Sequence, residues 1–122
     1  MHSPRFETLC QQISAHVREV SIHDVKQKMD QGSLPFCLID VREESEWHKG
    51  HIPHAIHIGK GVIERDIEKV IPDVMTPLIL YCGGGYRSAL AADNLQKMGY
   101  QNVLSMAGGY RAWMEAKYPL MQ

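Results

Sequence analysis

The stretch Leu78-Ile79-Leu80-Tyr81-Cys82-Gly83-Gly84-Gly85-Tyr86-Arg87-Ser88 narrows the choice of fold more than any other part of the chain. Its first four residues are uninterruptedly apolar, the pattern of a strand covered on both faces, so the sheet containing it needs layers above and below. After the glycines, Leu90, Ala91, Leu95 and Met98 recur with helical spacing and Gly99 supplies a stop, which predicts a helix over residues 88–98. Cys82 therefore stands where a buried strand turns through glycines into a helix.

The rest of the chain fits the same layered plan. Phe6, Leu9, Cys10, Ile13 and Val17 have the spacing of an amphipathic helix with Cys10 as a packing residue. Ser21 followed by Asp24 opens a second helix, faced by Val25 and Met29 and ended by Gly32. Residues 36–41 form a second apolar run, in which Cys37 is expected as a buried core thiol. A short helix over 43–48, a short strand over 55–58, a helix over 62–71 closed by Pro72, a strand over 103–106, a Gly108-Gly109 turn and a helix over 110–117 with Trp113 complete the series. Strands alternating with helices imply an α/β fold with a parallel sheet and a ligand crevice at the carboxyl ends of its strands, where Asp40 and Cys82 both fall.

With 122 residues the chain suits one domain. Its 13 basic and 14 acidic residues nearly cancel, and no basic stripe is interleaved with aromatics. Neither nucleic acid nor an anionic membrane is expected as a partner. The apolar runs are far shorter than the roughly 20 residues of a membrane span. The first residues lack the pattern of a secretory signal, so a cytoplasmic location is expected. Three cysteines, Cys10, Cys37 and Cys82, show no CxxC spacing and suggest reduced thiols rather than a disulfide framework or zinc site. His48, His51, His54 and His57 recur every three residues, but Pro53 prevents a helix from aligning them. No metal and no cofactor are expected.

A strand-glycine-helix turn points consecutive amides into one concavity and adds a helix terminus carrying about half a positive charge. A thiol at its first position is expected to fall from about 8.5 to roughly 3.5–7.5, making Cys82 a thiolate at neutral pH. The amides of Gly83, Gly84, Gly85, Tyr86 and Ser88 would surround its charge, with positive φ among the glycines letting them turn inward. Arg87 closes the loop and offers a permanent charge to its carbonyls or to an anionic substrate. Tyr86 would wall the pocket. Asp40, Arg42, Glu46 and His51 are read as supporting residues, with Arg42 and Glu46 spaced for an ion pair at a helix start. Trp47 and Trp113 are read as core or loop-supporting aromatics.

From about Glu19 to Leu120 the chain resembles the rhodanese domain, the sulfurtransferase family, in single-domain form. Three ordered motifs carry the resemblance. Leu38-Ile39-Asp40-Val41-Arg42 with Glu46-Trp47 and Gly50-His51-Ile52-Pro53-His54-Ala55 is similar to the N-terminal signature. Residues 81–88 are similar to the active-site loop, and Gly108-Gly109-Tyr110-Arg111-Ala112-Trp113 to the C-terminal signature. The resemblance implies a three-layer domain over residues 19–122 with a central, mostly parallel sheet and helices on both faces, preceded by a helical extension over 1–18. It implies transfer of a sulfane sulfur, from thiosulfate or a related donor, through a Cys82 persulfide to a thiol or cyanide. The implied partners are a small sulfur donor and a thiol acceptor, small or borne by a protein, with the chain a monomer or weak homodimer.

Two positions depart from the family pattern. Gly83 stands where many active members carry a polar or charged side chain, and His54 replaces a usual glycine, a change expected to matter little. A sulfur carrier or regulatory module that delivers persulfide to a partner protein is the alternative function. Phosphatase or arsenate reductase chemistry uses a similar loop of the form Cys-x5-Arg, whereas Cys82 to Arg87 is Cys-x4-Arg, one residue tighter.

Overall fold

The computed structural model describes residues 2–32 and 36–122. In chain order the elements are α1 (Pro4–Ser14), β1 (Arg18–Val20), α2 (Ile22–Asp30), β2 (Cys37–Asp40), α3 (Glu44–His48), β3 (Ile56–His57), α4 (Ile63–Val70), β4 (Leu78–Tyr81), α5 (Tyr86–Lys97), β5 (Val103–Met106) and α6 (Gly109–Glu115). The strands form one sheet in the order β1-β5-β4-β2-β3, and every ladder is parallel. β4 lies at the centre, and Cys82 leaves its carboxyl end.

Alternation along the strands builds two cores. Ile39, Leu78, Leu80, Cys82 and Val103 face one side, where Ile63 and Ile67 of α4 and Ala91, Ala92 and Leu95 of α5 cover them. Leu38, Ile79, Tyr81 and Met106 face the other side, packed by Val25 of α2 and by Tyr110 and Trp113 of α6. This is the three-layer arrangement with helices on both faces that the sequence predicts. Trp113 is fully buried and its indole N–H donates to Pro119 O at 2.8 Å. Among the described residues no helix is long and apolar enough to cross a membrane.

Several local expectations change. The extension expected over residues 1–18 is helical only over Pro4–Ser14, and Arg18 already belongs to β1, a strand the sequence did not suggest. β1 spans three residues and is half-exposed or exposed throughout, so it has no apolar signature. α5 starts at Tyr86 rather than Ser88, placing Tyr86 and Arg87 in its first turn. Cys37, expected in the core, is half-buried at the start of β2, although burial still pushes its thiol pKa up. His54 adopts φ +72°, which explains why glycine is usual there. An L-residue in that region costs about 1 kcal/mol, so the substitution is not neutral for the backbone.

Candidate active site

Cys82 is buried at 1 % exposure, on the floor of a cavity of about 600 Å³ at the carboxyl end of the sheet. Its Sγ accepts a hydrogen bond from the Gly85 amide at 3.1 Å and lies 3.5 Å from Ser88 Oγ. Of the three loop glycines only Gly85 has positive φ, +104°, and it is the N-cap of α5. One left-handed residue thus suffices to swing the chain from strand into helix and aim its own amide at the sulfur. A side chain at Gly83 would press on Arg87 Nη2, 3.1 Å from where its Cβ would stand.

The loop is held from behind by α6. The Tyr110 amide donates to Cys82 O at 2.8 Å and the Arg111 amide to Gly83 O at 3.0 Å. The close approach requires glycine at 109, where φ is +58° and a Cβ would lie 2.8 Å from Gly83 O and closer still to Cys82 O. The Gly108-Gly109 motif therefore serves the cysteine loop as much as its own turn. Underneath, Ser88 Oγ donates to Gly85 O at 3.2 Å and pairs with Ser105 Oγ at 2.8 Å, both side chains being fully buried.

Arg87 closes the cavity on one side through a two-pronged ion pair with Glu46, Nη1 to Oε1 at 2.7 Å and Nη2 to Oε2 at 3.1 Å. The Arg87 bond lowers the Glu46 pKa from 4.5 to about 2, overcoming its partial burial, and the Glu43 amide assists. Arg87 is raised in turn, first by Glu46, with the nearby Cys82 sulfur adding to the effect. The pairing expected between Arg42 and Glu46 is not formed. Arg42 turns inward to Asp40, Nη2 to Oδ2 at 2.8 Å, donates to Gly50 O at 2.6 Å, and stacks over the Tyr110 ring at 3.9 Å. Both members of that pair are buried. Asp40 is the fully buried last residue of β2, and its carboxylate takes the Arg42 guanidinium inward, away from Glu46.

His51 stays outside the cavity, its ring stacked on Trp47 with centroids 3.5 Å apart, and His57 lies on Trp47 as well at 5.2 Å. His48 contacts Glu44, and His57 Nε2 lies 2.8 Å from Arg42 O. Among the described residues no cluster of three or more potential metal ligands occurs. Tyr86 does line the cavity, exposed and in contact with the rings of Phe6 and His2.

The structure adds residues that sequence reasoning passed over. Arg111 and Glu115 of α6 and His2 and Phe6 at the start of the chain line the cavity with Cys82. Among the described residues Arg111 forms no ion pair, which leaves it as the uncommitted cation of that lining. Ser105 could have been noticed as the single polar residue of an otherwise apolar strand. Burial first, and then the neighbouring Cys82 and Glu7, push the Cys10 thiol up.

The chain has known relatives in both sequence and fold. The model of the Rhodanese-like domain matches residues 21–116. A thiosulfate sulfurtransferase of Coxiella burnetii is 30% identical over 82 residues, 67% of this chain and 74% of that protein. A candidate sulfur carrier protein of Bacillus subtilis is 31% identical over 100 residues, 82% of this chain, and this chain spans about half of its length, 52%. A solved structure from Rhodopseudomonas palustris, described as a possible tyrosine phosphatase of unknown function, superposes with a TM-score of 0.89 at 25% identity. That match covers 99% of this chain and 98% of the other.

Proposed function

The chain belongs to the rhodanese-like domain family, with its sulfurtransferases and sulfur carriers, and from that membership we propose that it moves a sulfane sulfur through a persulfide on Cys82. The observation that carries the reading is Cys82 Sγ on the floor of an open cavity with the Gly85 amide aimed at it from 3.1 Å. A donor directed at a sulfur is strongest when that sulfur is charged, so the amide serves the attacking thiolate and then the persulfide.

With thiosulfate, the Cys82 thiolate attacks the outer sulfur of S₂O₃²⁻. A bond forms between Cys82 Sγ and that sulfur as the sulfur-sulfur bond of the donor breaks, and the electron pair leaves with sulfite. The products are Cys82–S–S⁻ and SO₃²⁻, and charge is conserved. Cyanide or a thiolate then attacks the outer sulfur of the persulfide, leaving as thiocyanate or as a new persulfide and restoring the Cys82 thiolate. Splitting the transfer at a covalent intermediate suits a cysteine with a backbone donor aimed at its sulfur. Arg87 is engaged by Glu46 and organises the loop beside the sulfur, while Arg111 is the cation available to an anionic donor. Asp40, Arg42 and His51 hold the surrounding turns rather than touching the reacting atoms.

Incubation with thiosulfate followed by intact mass measurement should show a gain of one sulfur atom, absent in Cys82→Ser and removed by cyanide. An unchanged mass with thiosulfate, thiosulfonates and organic persulfides sinks the reading. Arg87→Ala should lower turnover at least about tenfold, and Arg111→Ala should raise the KM for thiosulfate more than it lowers kcat, whereas Cys37→Ser should keep turnover. The Rhodopseudomonas structure's description keeps phosphate ester hydrolysis as a second reading. Hydrolysis of an aryl phosphate that disappears in Cys82→Ser would favour it.

A further inference from the structure

The family match begins at residue 21, yet the cavity over Cys82 is completed from outside that match. Phe6, on the first turn of α1, and His2, just before it, lie in the lining, and both rings meet Tyr86 of the cysteine loop. The His2 and Tyr86 centroids are 4.5 Å apart, Phe6 and Tyr86 5.9 Å, and His2 and Phe6 5.0 Å. Three mutually touching rings form an aromatic wall on one side of the cavity, and α1 is held in place by packing on α5.

The rest of the lining carries charge, with the Glu46–Arg87 pair, Arg111 and Glu115. A bare thiosulfate ion is a small dianion with nothing apolar to set against the rings, and it would fill only a fraction of about 600 Å³. Cavities of several hundred Å³ with an apolar wall and a few placed charges suit organic ligands. An anionic sulfane sulfur carried on an aromatic body matches both kinds of lining, its anionic end meeting Arg111 and its ring meeting Phe6 and Tyr86 in offset or edge contact.

Resting on the sulfur-transfer reading above, we propose that α1 is a donor-selecting element, and that Phe6 with Tyr86 and His2 favours thiosulfonates R–SO₂–S⁻ whose R group is aromatic. In the step concerned, the Cys82 thiolate takes the terminal sulfur, the S–S bond of the donor breaks, and the sulfinate R–SO₂⁻ leaves with the electron pair.

Benzenethiosulfonate and methanethiosulfonate carry the same charge and the same reacting group, so the ratio of their kcat/KM values reports the R group. Cyanide serves as acceptor. The wild type should prefer the aromatic donor, and Phe6→Ala should reduce that ratio by about tenfold or more, chiefly through KM. Phe6→Tyr should restore it, and Leu9→Ala, exposed on the same helix and away from the cavity, should leave it unchanged. Intact mass reports the Cys82 persulfide in every variant, and circular dichroism reports whether the fold survives. Persulfide formation with a ratio that Phe6→Ala leaves within twofold of wild type overturns the aromatic wall alone. No persulfide from either donor overturns the wall, and none from thiosulfate or an organic persulfide as well overturns the sulfur-transfer reading with it.

Discussion

Glu46 decides what its neighbouring arginines are free to do. By taking both prongs of Arg87 it fixes the guanidinium beside the loop, and the cost to its own protonation is visible in a pKa lowered from 4.5 to about 2. A carboxylate depressed in the folded state contributes stability that is fully present above its unfolded value and is lost as pH falls through its folded value. Both side chains are about one third exposed, so solvent screening reduces the contribution to roughly 1 kcal/mol. Urea unfolding of wild type and Glu46→Gln should therefore differ by a constant amount near neutrality, and the difference should fade between pH 4.5 and about 2. A difference that does not change with pH would mean the pair is not coupled to folding. The partner of Arg87 was hard to read from sequence because the two lie 41 positions apart, while helical spacing offered Arg42 to Glu46 instead. That local rule lost to a buried acceptor, since leaving either Asp40 or Arg42 unpaired inside the protein costs several kcal/mol.

At the scale of elements, the loop is legible and its supports are not. Apolar runs, glycines and helical spacing were enough to place β4, the cysteine turn and α5 to within two residues. β1 was missed because its three residues, two exposed and one half-buried, carry no period, and it is defined by its pairing with β5. The reason for Gly109 was equally invisible, because it lies in the carbonyls of Cys82 and Gly83, brought within reach by tertiary packing. Gly109→Ala should therefore do two things at once: destabilise by about 2–4 kcal/mol through positive φ and collision, and slow persulfide formation by displacing the loop. Gly61→Ala, where an added Cβ meets nothing within 4 Å, is the matched comparison and should do neither. Equal behaviour of the two variants in unfolding and in single-turnover sulfur uptake would separate α6 from the loop.

Across the whole molecule, stability and selectivity are set by different parts. β2, β4 and β5 are pinned between two cores and carry half of the largest fully buried side chains. α1 buries only Cys10 completely, its N-cap Ser3 makes no side-chain capping bond, and its last turn has no basic residue to meet the helix dipole. The strand that follows it is an edge strand of three residues. Regions with few buried apolar contacts open at lower free energy than the core, so α1 should open without unfolding the sheet. Hydrogen exchange read by mass spectrometry should show α1 amides exchanging at least about a hundredfold faster than those of β4, with the cysteine loop in between. A bound donor that engages Phe6 and Tyr86 adds contacts available only when α1 is docked, so a non-transferable aromatic sulfonate should slow exchange in α1 while leaving β4 unchanged. Uniform exchange across α1 and β4 would instead make the amino-terminal helix, and the rings it carries, an inseparable part of the core.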